Sequence, residues 1–269
     1  MAPITFDRRR SFLPIIGSLV VFAWVALLLW ERSPYGRYLD HGQWTDIGLA
    51  ASLCSALPAG HIVLPALLYV GGWVLMSAAM MLPTALPLLS LFGRLTDRRP
   101  DRAKLLTLVI IGYLLIWAAF GLAAHVIDAI LNALVIASPW LMFNGWIIGA
   151  AVLAVAGAFQ FSALKYHCLD KCRTPLSFVM QHWRGYARHW QALKLGLDHG
   201  LFCVGCCWAI MLLMFVVGTG SVGWMLALGA VMAIEKNLAW GRRLTPWLGA
   251  GLLGGAATIA IEHLVPFLA

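Results

Sequence analysis

Residues 12–30 contain no charged side chain, and apolar runs of this length recur along most of the chain. A helix crossing a hydrocarbon core of roughly 30 Å needs about 20 mostly apolar residues, because each residue rises only about 1.5 Å. Seven segments are candidates: 12–30, 62–92, 105–127, 144–164, 201–218, 222–234 and 246–268. Composition agrees, with 62% apolar residues, 11% charged residues and a mean hydropathy of +0.85. So few charges cannot keep a soluble surface wet. Soluble dehydrogenase, nuclease and signalling folds are excluded. The expected fold class is all-α: a polytopic transmembrane bundle of about seven spans, forming a single membrane-embedded domain over residues 1–269. The sixth segment is short, and the long second one carries Pro83 and Pro87, which predict a kink or break near its end.

Loop cations test the count, because Lys and Arg concentrate on the cytoplasmic side. With the N-terminus inside, all of the 19 Lys and Arg except Arg32 and Arg37 fall in cytoplasmic segments. The expected topology is therefore N-inside and C-outside, in a bacterial inner membrane. An outer loop then covers 31–61, and a Cys- and His-rich cytoplasmic loop covers 165–200. Arg9-Arg10-Ser11 resembles a twin-arginine export signal, but no small-residue cleavage site follows, so an uncleaved first helix is expected. Gly145-x-x-x-Gly149 and Gly251-x-x-x-Gly255 read as close helix-packing signals. No nucleotide fingerprint, P-loop or hydrolase elbow is present, nucleic acid is not an expected partner, and no catalytic residue is assigned.

The chemistry lies in the cysteines. Cys54 falls on the outer side, whereas Cys168, Cys172, Cys203, Cys206 and Cys207 gather at the inner side. The cytosol is reducing, so grouped thiols there read as metal-binding or redox-active rather than as disulfides. At 100° per residue His199, Cys203, Cys206 and Cys207 fit within an arc of roughly 100° on one helix face, and Met214 joins them. Cys168 and Cys172 share a face at i and i+4. Four readings compete: small apolar filling, a structural zinc cage, an iron–sulfur cluster, and a soft-metal site for Cu(I), which thiolates and thioethers select. Met76, Met80 and Met81 lie beside the Pro83 break, where a broken helix lines a cavity more often than lipid. They are core filler or a mid-membrane Cu(I) step. His41, Asp46, His61, His125, Asp128, Glu262 and His263 on the outer side read as interfacial polar residues or a harder-ligand entry site. Glu235-Lys236 reads as an ion pair or helix anchor, with Glu235 a modest functional candidate at its depth.

The stretch Lys165-x-x-Cys168-Leu169-x-x-Cys172-Arg173-x-Pro175, with Trp183-Arg184, His199-Gly200, Cys203-x-Gly205-Cys206-Cys207-Trp208, Trp224-Met225 and Glu235-Lys236, resembles a bacterial family of predicted metal-binding integral membrane proteins. Ala79-Met80-Met81-x-Pro83 extends the resemblance upstream. The resemblance implies metal binding within a membrane and points to Cys168, Cys172, Cys203, Cys206, Cys207, Met80 and Met81; it supplies no reaction. The leading expectation is transport or handling of a soft metal, Cu(I), by Met76, Met80 and Met81 together with a single inner site of the five cysteines and His199. The alternatives are zinc in a membrane scaffold, and a thiol-redox enzyme or metalloprotein assembly factor. The expected partners are the lipid bilayer, the metal ion, and a soluble metal chaperone or membrane subunit.

Overall fold

The structure, a computed structural model, describes residues 12–32, 63–184, 188–217 and 221–264. Every regular element among them is helical. Arg8 to Arg10, Arg37, His41, Asp46, Cys54 and His61 lie outside the described residues, as does most of the segment 31–61.

The helices are α1 (Phe12–Glu31), α2 (Val63–Met81), α3 (Leu86–Leu95), α4 (Arg102–Ala137), α5 (Pro139–Phe143), α6 (Trp146–Phe159), α7 (Ala163–Arg173), α8 (Pro175–His182), α9 (Arg188–Leu212), α10 (Met214–Val217), α11 (Val222–Asn237) and α12 (Leu244–Leu264). Among the described residues, three segments are individually long and apolar enough to cross a bilayer: Arg102–Ala137, Arg188–Val216 and Gly241–Leu264. Two bent pairs raise that to five if each pair is one span. These are Tyr69–Met81 with Pro83–Leu95, bent by 45°, and Trp146–Phe159 with Ala163–Arg173, bent by 63°. Gly17–Leu29 is a shorter apolar helix.

The expected break in the second segment falls at Pro83, where a 3-10 turn (Pro83–Ala85) separates α2 from α3. The Ala85 N–H bonds Leu82 O rather than Met81 O. The released Met81 carbonyl accepts instead from Thr84 Oγ1 at 2.8 Å and from Tyr113 OH at 3.2 Å. A buried carbonyl without a partner is costly, so the proline break survives because α4 supplies that hydroxyl.

Segment 165–200, read from sequence as a connecting loop, is helical over most of its length: it holds α7, α8 and the first half of α9. Ser162 starts α7 by accepting from the Lys165 N–H at 3.1 Å, an N-cap that turns the chain after α6. The most extensive helix pairing is α4 with α9. A Cβ on Gly112 would collide with the Leu193 carbonyl, and one on Gly196 with that of Val109, so the two backbones touch where these glycines cross. The Gly251/Gly255 spacing does not serve this purpose within the chain, since a Cβ at either meets nothing within 4 Å. Instead α12 approaches α6 at Gly157 and Gly249.

Candidate metal centre

Two features of the fold place the cysteines. The α4–α9 contact holds Cys203, Cys206 and Cys207 on buried turns of α9, and the α6–α7 bend brings Cys168 and Cys172 back against that helix. The Cys172 and Cys206 sulfurs are 4.0 Å apart. Cys168 packs against Gly205, where a Cβ would sit 2.7 Å from its Sγ, so that glycine is what admits the thiol. All five cysteines are free.

The other end of the cluster faces the broken helix. Cys207 Sγ lies 3.9 Å from Met81 Sδ, and Tyr113 OH lies 3.0 Å from Cys203 Sγ. Between them sits the ammonium of Lys236, from the last turn of α11. Its Nζ is 2.8 Å from Cys203 Sγ, 3.6 Å from Cys207 Sγ, 3.9 Å from Met81 Sδ and 3.5 Å from Thr84 Oγ1. With Cys172 against Cys206 on one side and Cys207 against Met81 on the other, the sulfurs of α7, α9 and the end of α2 form a file through the bundle.

That file is not the closed cage expected from the sequence. Among the described residues, no three His, Cys, Asp or Glu side chains are arranged to hold a metal ion. The reason is local: the Cys206 and Cys207 thiols donate back to the Cys203 carbonyl at 3.1 and 2.8 Å, directing them along the helix rather than toward a common centre. Soft donors are nevertheless adjacent, two thiols and a thioether at one end and two thiols at the other. Thiolate and thioether sets of this kind suit Cu(I).

His199 sits one turn before Cys203, stacked on Tyr113 at 5.6 Å and edge-on to Phe178 at 5.7 Å, with Nδ1 lacking a hydrogen-bond partner. Of the methionines, Met81 reaches the thiols, Met80 packs against Gly229 of α11, and Met76 and Met214 are buried in the core. Of the residues expected on the outer side, His125 packs at a tilt against Tyr69 with ring centroids 4.5 Å apart and Asp128 is buried, whereas Glu262 and His263 are exposed.

Two lysines counted as loop cations are inside the bundle. Lys165 is 0% exposed and pairs with Glu235, itself 2% exposed, at 2.9 Å. Gln160 accepts from the same ammonium, and Thr245 Oγ1 donates to Glu235 at 2.8 Å. Arg173 donates to the backbone carbonyls of Glu235 and Ala239, and Arg242 bonds Asp170 at 3.0 Å. This network fastens the Cys172 helix to the Lys236 helix. The sequence points to Glu235 as an ionisable residue at depth, and not to Lys165, Gln160, Thr245, Thr84 or Tyr113. Gln160, a polar amide five residues before Lys165 at the end of an apolar run, is a sequence sign of this network.

The family model for PpoB2, described as a copper chaperone, matches residues 70–259. The chain belongs to this family. The matched stretch includes every residue of the centre, from Met81 to Lys236. No curated protein and no solved structure matches the chain significantly. Copper handling therefore enters from the family.

Proposed function

We propose that this chain is a multi-pass protein of the bacterial inner membrane, spanning it about seven times, which binds Cu(I) at Cys203, Cys207 and Met81 and hands it on through Cys206 and Cys172. One observation carries the reading: a thiol and a thioether from two different helices meet at 3.9 Å in the interior of a copper-chaperone family member. Cu(I) exchanges between soft donors without a change of oxidation state, so a file of sulfurs offers a path with no catalytic step. Cys168 and His199 flank that path, and Met76 and Met80 precede Met81 on α2. Flux follows a copper gradient or an acceptor protein, which can be a soluble chaperone or a membrane subunit.

The test uses the purified full chain in detergent. Loading with Cu(I) under reducing conditions should give bound copper that competes with a chromophoric Cu(I) chelator. It should also protect Cys172, Cys203, Cys206 and Cys207 together from alkylation. Stoichiometric zinc that survives chelation, with no Cu(I) uptake, overturns the reading in favour of a structural zinc scaffold.

Topology has its own check. Reporter fusions after Arg99 and after Arg188 should read cytoplasmic, and a fusion at Ala269 should read periplasmic. A cytoplasmic reading at Ala269 removes one span and, if the error precedes α9, moves the cysteines to the other side.

A further inference from the structure

The Lys236 ammonium stands where a bound cation would, surrounded by two thiols, a thioether and a hydroxyl at 2.8–3.9 Å. The adjacent acid, Glu235, does not neutralise it. Glu235 is taken up by Lys165 and Thr245, so the Lys165–Glu235 pair carries no net charge into the centre. Lys236 is itself buried, and the positive charge it adds is fixed by the fold rather than supplied by solvent.

From this arrangement, and resting on the copper-binding reading above, we infer that Lys236 selects the charge of the metal, admitting a monovalent soft cation to the Cys203–Cys207 pocket and refusing a divalent one. Cysteines bind metal as thiolates. Two thiolates and one ammonium sum to a single negative charge. Cu(I) brings that sum to zero, whereas Zn(II) leaves a net positive charge in a buried, low-dielectric site, where an uncompensated charge is strongly unfavourable. Without the ammonium the signs reverse: Zn(II) closes the balance and Cu(I) leaves a negative residue. Thiolates alone bind both metals well, so donor type does not make this choice. Lys236 need not ligate the metal. A shift of its long, flexible stem keeps the charge beside the sulfurs while vacating their centre.

The experiment measures Cu(I) and Zn(II) affinities of the full chain in detergent by competition with chelators, using the two metal ions alone as probes. Wild type should take up Cu(I) and discriminate against Zn(II). Lys236→Gln, which removes the charge without adding a soft donor, should raise the affinity ratio of Zn(II) over Cu(I) at least tenfold, whereas Lys236→Arg, which keeps the charge, should stay near wild type. Circular dichroism and size-exclusion profiles establish that each variant is folded; if the Gln variant is not, Lys236→Leu carries the same expectation. A folded Gln or Leu variant with the wild-type ratio overturns the inference and leaves the copper reading intact. An Arg variant that behaves like Gln also overturns it, because shape rather than charge would then decide. If wild type binds Zn(II) and no Cu(I), the copper reading fails and the inference fails with it.

Discussion

Replacing Cys203 and Cys207 together by serine should abolish measurable Cu(I) binding, weakening it by about a thousandfold or more, roughly 4 kcal/mol, while the helices stay folded. Serine is close to cysteine in size, and its hydroxyl makes the same back-bond to the carbonyl one turn earlier. The Cys207 bond to Cys203 O at 2.8 Å therefore has a direct replacement. What serine lacks is a soft donor atom. The methionines sharpen the test. Met81→Leu conserves volume and should cost under about 1.5 kcal/mol as packing, yet it removes the thioether 3.9 Å from Cys207, so copper affinity should fall by roughly tenfold or more. Met76→Leu and Met80→Leu should leave affinity near wild type. Chelator competition measures all four proteins, and a thermal melt separates lost ligands from lost fold. Retained copper in the serine double variant would move the centre to Cys172 and Cys206.

These contrasts show which parts of the centre are legible in the sequence. Helical spacing alone puts His199, Cys203, Cys206 and Cys207 on one arc, and all four are buried on α9. The break at Pro83 is equally readable, because a missing N–H acts locally. Which methionine matters is not local. It depends on Met81 standing against α9, where Tyr113 of α4 meets both the Met81 carbonyl and Cys203 Sγ, a meeting of three helices far apart in the chain. Thiol direction is not legible either: residues on one face can still turn their thiols back to their own helix, as Cys206 and Cys207 do. Lys165 is the least legible residue of all. Apolar patterning places a lysine at the end of a run in the loop, since nothing in a window of residues reveals an acid 70 positions away.

The largest effect on stability should come from that distant partner. Lys165→Met strands the Glu235 carboxylate, 2% exposed, with Thr245 as its remaining side-chain donor. Removing one member of a buried ion pair typically costs about 3–5 kcal/mol, because the survivor keeps its desolvation penalty without its attraction. The single variant should therefore melt far below wild type or fail to accumulate. The double variant Lys165→Met/Glu235→Leu removes both charges and should recover most of the lost stability, since replacing a whole buried pair by apolar groups is often close to neutral. A thermal melt in detergent reads this difference. Position is a separate matter, read by mild oxidation. In wild type, Cys172 and Cys206 at 4.0 Å should cross-link readily. In Lys165→Met the fastening of α7 to α11 loosens, and the yield should fall with stability. In the double variant, Arg173 still holds the Glu235 and Ala239 carbonyls, because these bonds use backbone that the substitution leaves in place. If cross-linking recovers there along with the melt, the backbone latch suffices to dock the Cys172 helix, and the ion pair acts through stability. If the melt recovers and cross-linking does not, the ion pair itself sets where Cys172 meets Cys206.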